Sequence, residues 1–205
     1  MSNFIDLTRT LYHEMPVFPG EKSPAITLDK TIATDGYNGF RLESNMHSGT
    51  HMDAPMHVQV TDRTIDSFDA GLFTGKACVI DVRGLKVIRY QPEWEAKFAG
   101  HDIVLFRTGH DRTWDTPAYY GEYPDFESLI AGKLVENGVR IAGFDSPSPD
   151  RMPYDFHLVF LHDERFLIES LTNLGALPDN SSFRLYAFPL KVRAEASLVR
   201  VVAEI

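Results

Sequence analysis

Short apolar runs separated by turn residues recur along the whole chain, and their period decides the elements. Ala77–Val82, Ile103–Arg107 and Arg140–Phe144 are rich in β-branched residues and end in Arg-Gly, Thr-Gly and Asp-Ser. Such runs predict buried strands. Ile5–Leu7 is a shorter strand candidate, and Phe40–Ser44 alternates, with Phe40 and Leu42 on one face. Arg184–Pro189 and Leu198–Ala203 offer two further strands. Only Phe126–Asn137 has helical spacing, through Leu129, Ile130 and Leu134, with Gly138 following as a C-cap. Met15-Pro16-Val17-Phe18-Pro19-Gly20 reads as a rigid loop, fixed by two prolines and a glycine. Strands outnumber helices, so the expected class is α/β: a mixed sheet with few packed helices.

The chain has 205 residues, of which 43% are hydrophobic and 24% charged. That is expected to make one domain spanning 1–205, able to bury roughly 70% of the surface of its unfolded chain. The formal net charge is −9, and no Lys/Arg cluster exceeds two or three residues, so no basic stripe for nucleic acid is expected. The one cysteine, Cys78, rules out an intramolecular disulfide and lies in an apolar run, as a small buried hydrophobe would. The start of the sequence has no charged-then-apolar signal pattern. No apolar run approaches the roughly 20 residues that span a bilayer. Cytoplasm is therefore the expected location.

The chemistry concentrates in His47-Ser48-Gly49-Thr50-His51-Met52-Asp53-Ala54-Pro55-Met56-His57, which holds three of the eight histidines. Imidazole and carboxylate are common ligands of zinc and similar divalent metals. Gly49 and Pro55 disfavour a helix here. On an extended chain His47, His51, Asp53 and His57 share one parity. A straight strand would still hold His47 and His51 about 13 Å apart, at roughly 3.3 Å per residue. The chain must therefore fold back between them, which Gly49 allows. A curled segment wrapping a metal with His47, His51 and Asp53 is the expectation. Three protein ligands with an open position suit a catalytic metal. His57 is either a fourth ligand or a free imidazole acting as general acid/base. Downstream, Glu169 closes the apolar run Phe166-Leu167-Ile168; it is either a carboxylate with a partner such as a metal or an ordinary strand end facing water. His157 lies twelve residues before it.

These residues resemble the H-x-G-T-H-x-D-x-P-x-H signature of the cyclase family, which includes bacterial kynurenine formamidases and isatin hydrolases. The resemblance extends over nearly the whole chain. Pro16–Gly20 is similar to the family's P-V-W-P-G loop, and Arg107-Thr108-Gly109 and Asp145–Asp150 resemble later segments. His157 and Glu169-Ser170-Leu171-Thr172-Asn173-Leu174 resemble the H…E-x-L-x-N-L pattern. The resemblance implies a swivelling β/β/α fold, a homodimer or homotetramer, and a site for two metals, zinc or manganese. By position, His47 and His51 would bind one metal, Asp53 and Glu169 would bridge both, and His157 would bind the other. His57 would then be the acid/base residue and Phe18 a substrate contact. Phe18 stands where the formamidases place tryptophan, and Glu21 where the family has aspartate. His13, His101, His110 and His162 match no metal position and are expected to be surface or loop residues.

The implied reaction is hydrolysis of a non-peptide amide bond of a small molecule by metal-activated water, with His57 moving the proton. A cyclic amide or lactone hydrolase, and a non-catalytic metal or small-ligand binder, are the alternatives. No G-x-S-x-G elbow, G-x-x-x-x-G-K-[ST] loop or G-x-G-x-x-G fingerprint occurs. Phe18, Tyr37 and Phe40 are candidates for a pocket wall, although residues so spaced more often belong to a core.

Overall fold

A computed structural model describes residues 3–179 and 181–205. The strands among them are β1 (Phe4–Asp6), β2 (Ala25–Lys30), β3 (Gly39–Glu43), β4 (His51–Asp53), β5 (Thr74–Asp81), β6 (Val87–Ile88), β7 (Ile103–Arg107), β8 (Asp125–Phe126), β9 (Ile141–Phe144), β10 (Phe166–Glu169), β11 (Phe183–Pro189) and β12 (Ala196–Glu204). The α-helices are α1 (Ile32–Asp35), α2 (Glu95–Phe98), α3 (Ala118–Gly121), α4 (Ser128–Glu136) and α5 (Asp155–Phe160).

The main sheet runs β1-β12-β11-β5-β7-β9-β10-β4, and β4 also pairs with β12. Strands β12, β11, β5, β7, β9, β10 and β4 thus close into a barrel, with β1 beside the far half of β12. Pairs β5/β7, β7/β9 and β9/β10 are parallel, and the closing pairs β10/β4 and β4/β12 are antiparallel. The sheet is therefore mixed, as the pattern predicts.

Side-chain parity sorts each strand into two layers. Met52, Val79, Ile103, Leu105, Ile141, Ile168, Leu185 and Val201 point into the barrel and form its core. Ile80, Val104, Phe106, Phe144 and Leu167 point outward, against Phe98 of α2, Leu134 of α4 and Phe156 of α5. Parallel strands covered on both faces read as continuous apolar runs, which is why β5, β7 and β9 are legible in the sequence. At Gly143 the layers press against the backbone: a Cβ there would lie 2.6 Å from Leu105 Cδ2 and 2.9 Å from Leu171 Cδ1.

The helix expected over 126–137 is shorter, because Phe126 belongs to β8 and hydrogen-bonds Pro149 O. Asn137 takes the cap position, and Gly138 follows in the left-handed region at φ +77°. Cys78 is buried, and burial pushes its thiol up to about 12. The period-two segment around Phe40 is a strand, but it pairs only with β2 as a separate hairpin. Tyr37 and Phe40 are exposed there, Phe40 by 69%, so they are not core residues, and neither lines the cavity that Phe18 walls. Among the described residues no helix is long and apolar enough to cross a membrane.

Candidate metal centre

The site lies on the outer face of the barrel where β4 meets β10. Residues 46–50 form a turn in which Asn45 Oδ1 accepts the backbone N–H of His47 at 2.7 Å. Gly49 adopts φ +62°, and a Cβ there would meet Met15 Cε at 3.0 Å. That left-handed step reverses the chain and brings the His47 and His51 ring centroids to 4.9 Å. His51 opens β4, so Met52 turns inward while His51 and Asp53 face out. In the antiparallel register His51 lies directly opposite Glu169 of β10. Ala54-Pro55 then starts a 3-10 turn that carries His57 back over His47, with ring centroids 4.5 Å apart. His157 enters from α5, 5.8 Å from the His57 ring.

The ligand-type atoms converge. Asp53 Oδ1 lies 3.0 Å from His47 Nδ1 and 3.5 Å from His51 Nε2. Glu169 Oε2 lies 3.4 Å from His51 Nε2, and its Oε1 lies 3.3 Å from His157 Nε2. Two sets of ligand atoms each fall within 4.8 Å of one another: His47, Asp53 and His57, and His51, Asp53 and Glu169. Asp53 belongs to both.

Three of the four imidazoles are held from behind. His51 Nδ1 donates to Gly49 O at 2.9 Å, which leaves Nε2 facing the cluster. His157 Nδ1 donates to Asp150 Oδ1 at 2.6 Å, again leaving Nε2 inward. Asp150 also accepts the backbone N–H of Phe156 at 2.7 Å, so one carboxylate caps α5 and fixes the histidine it carries. On His47 the roles reverse: Nε2 meets Glu195 Oε1 at 3.2 Å and Nδ1 faces Asp53. His57, by contrast, is exposed, and among the described residues neither of its ring nitrogens is hydrogen-bonded.

His51 Nε2, both carboxylate oxygens of Asp53 and Glu169 Oε1 are buried without a hydrogen-bond partner. Leaving a buried polar atom unpaired costs about 1–3 kcal/mol, and more when it is charged. Four such atoms aimed at one volume are what a divalent cation satisfies, and their nitrogen and oxygen donors suit zinc, with manganese next. Electrostatics agree with that use. Burial alone would lower His47, but Asp53, with Glu169 and Glu195, raises it to about 9. Burial likewise opposes, and Asp150 and Glu169 overcome it, to bring His157 to about 10. Against the cost of burial, the surrounding imidazoles hold Asp53 and Glu169 below the usual carboxylate range. Desolvation lowers His57, Asp53 opposes, and neighbouring His47 adds to the lowering.

A cavity of about 190 Å³ opens over the cluster, walled by Phe18, Tyr120, Tyr123 and Tyr154, with Glu21 and Ser170 among its polar lining. Phe18 packs edge-on against Tyr120 at 5.9 Å. A larger cavity of about 460 Å³ lies behind the 48–50 turn, lined by Arg9, Phe188 and Arg200, and contains none of the clustered ligands.

The cyclase family profile, described as "Putative cyclase", matches residues 5–151. The chain belongs to the cyclase family. A kynurenine formamidase of Bacillus thuringiensis (strain Al Hakam) is 28% identical over 209 residues, covering 98% of this chain and 97% of the relative. Isatin hydrolase A from Labrenzia aggregata, solved with benzyl benzoate, superposes with a TM-score of 0.86 at 24% identity, over 100% of this chain and 94% of that one. A structure described as a "predicted metal-dependent hydrolase" from Bacillus stearothermophilus gives 0.81 at 25% identity, covering 100% and 98%. The fold is thus that of the isatin hydrolases.

In this chain, His47, His51, Asp53, His57, His157 and Glu169 meet at one place and Phe18 lies at its mouth. His13, His101, His110 and His162 stay outside: His110 Nε2 bonds Tyr119 O, and His162 pairs with neighbouring Asp163. Sequence reasoning missed Asp150, Glu195 and the three tyrosines. Asp150 ends a family-like segment, which was a signal. Glu195 had none, because only barrel closure brings it to His47.

Proposed function

We propose that this protein hydrolyses a non-peptide amide C–N bond of a small aromatic substrate, using a divalent metal and His57 as general acid/base. The observation that carries the reading is the convergence of four buried, unpaired ligand atoms beside one exposed, unpaired imidazole. His47, His51, Asp53, His157 and Glu169 would hold the metal, with room for two ions because Asp53 lies between His47 and His51 and Glu169 between His51 and His157. A bound divalent cation supplies Lewis acidity, bringing the pKa of water towards about 7 and polarising a carbonyl.

The chain's own residues do the rest. Tyr120, Tyr123, Tyr154 and Phe18 present an apolar, aromatic wall for a ring. The cavity is smaller than the roughly 300–1,000 Å³ of drug-sized sites, which favours a substrate of one substituted or fused ring. No Lys or Arg lines it. His57 carries no hydrogen-bond partner that would tie down its proton, so either ring nitrogen is free to take a proton from water and deliver it to the leaving nitrogen. Lowering of its pKa by desolvation keeps it neutral, as a base, near pH 7.

One specific observation favours a second assignment, His57 as a ligand: it lies in a ligand set with His47 and Asp53. His57→Ala separates the two. The proposal expects metal content unchanged and hydrolysis of an aryl formamide reduced about 10²–10⁴-fold. Loss of metal would make His57 a ligand. Ring opening of a cyclic amide or lactone uses the same groups, and comparing aryl formamides with isatin-type lactams decides between them. A fully metal-loaded protein that cleaves none of these substrates is a binder instead. The proposal includes a homo-oligomer, supported by the apolar side chains Leu28, Tyr37, Phe40 and Leu42 exposed on the β2–β3 hairpin. Light scattering at the size-exclusion peak reads that directly.

A further inference from the structure

The three imidazoles held from behind are not held equally. His51 and His157 are buried, and their outer partners, Gly49 O and Asp150, lie on the same turn or cap the same helix. His47 sits on a turn with its side chain 26% exposed. Among the described residues the only outer partner of its ring is Glu195, 148 residues away. The position of Glu195 is no accident of a loop. Ala196 is paired with Asp53 in the β12/β4 ladder, and the Ala54 N–H donates to Glu195 O at 2.9 Å. The strand pair that closes the barrel therefore sets Asp53 and Glu195 on opposite sides of one ring, with Nδ1 3.0 Å from Asp53 and Nε2 3.2 Å from Glu195.

We propose that Glu195 is a positioning residue for His47: its carboxylate accepts the Nε2 proton and fixes the tautomer and ring plane that turn Nδ1 toward Asp53. Carboxylate behind a ligating histidine is a recurrent way to orient the ring and raise its basicity, and removing it typically weakens metal binding 10–100-fold. Glu195 acts on the ring's direction and does not touch the substrate, since it is absent from the lining of the aromatic cavity. The inference rests on the reading of the cluster as a metal site.

The test is zinc titration of the full-length metal-free chain against a chromophoric chelator, comparing wild type with Glu195→Ala, Glu195→Gln and His47→Ala. Glu195→Ala is expected to weaken zinc by about 10–100-fold at unchanged stoichiometry, and Glu195→Gln, whose amide oxygen still accepts, to recover most of the loss. Thermal unfolding of the metal-free variants is expected to match wild type, which separates positioning from folding. Equal affinity of Glu195→Ala and wild type would overturn the inference, and so would a glutamine variant as weak as alanine or a drop in stoichiometry, which would make Glu195 a ligand. Wild type that binds no zinc would instead bring down the metal-site reading beneath it.

Discussion

Met52 and Ile168 meet across β4 and β10 inside the barrel, while one residue along on either strand His51, Asp53 and Glu169 meet outside it. The two faces of this one strand pair obey different rules. Inside, Met52, Phe166 and Ile168 are apolar and close-packed, and volume decides stability. Outside, buried polar atoms lack partners, and their value lies in what they can bind. Register joins the two, because a slip of one residue would exchange the faces. Stability and chemistry are therefore written on alternate positions of the same six or seven residues, and substitutions at neighbouring positions separate them.

The largest effect is expected outside. Asp53→Ala removes the group common to both ligand sets. Turnover should fall by about 10³-fold or more, some 4 kcal/mol of barrel-face chemistry, with metal content falling in parallel and far-ultraviolet circular dichroism unchanged. A variant that stays active would break the comparison. Inside, Ile168→Ala leaves a cavity beside Met52 and should cost about 2–5 kcal/mol, read as the shift in urea midpoint. Activity per folded molecule should survive it. Loss of metal without loss of stability at Ile168 would show that the faces are not separable.

A smaller effect sharpens the contrast between unpaired and paired charge. At the far end of β5 and β7, Arg107 donates to Asp81 and Asp179, and Arg83 also grips Asp81. The Arg83 hydrogen bond, joined by that of Arg107, holds the Asp81 carboxyl below its ordinary value of 3.8. A depressed carboxylate contributes stability above the unfolded pKa and loses it as pH falls. The Asp81 side chain is 38% exposed, so solvent screening keeps the contribution to about 1 kcal/mol or less. Asp81→Asn should accordingly destabilise at pH 6, and the difference from wild type should shrink steadily in unfolding curves taken below about pH 4. A difference that grows on acidification would reverse the sign and refute the assignment.

Much of this was legible in the sequence because the signals were local. Gly49 between His47 and His51 demanded a reversal, and the common parity of His51 and Asp53 placed them on one face. Glu169 at the end of an apolar run left two readings, a partnered carboxylate or a strand end facing water, and the structure shows it buried. The parallel strands β5, β7 and β9 read as apolar runs because both their faces are covered. What escaped was non-local or two-sided. Glu195 reaches His47 only through closure of β12 on β4, and the double duty of Asp150 depends on where α5 begins. Alternation around Phe40 identified a strand correctly, but alternation cannot say that the apolar face is left uncovered.

The central claim is that the His/Asp/Glu cluster is a metal centre that drives amide hydrolysis. Its most direct test is elemental analysis of protein purified without added metal, paired with cleavage of an aryl formamide before and after chelation. The account predicts bound zinc or manganese, up to two ions per chain as the shared Asp53 allows, and cleavage that chelation abolishes and metal restores. A chain that holds no metal, even after reconstitution with zinc or manganese, would contradict it.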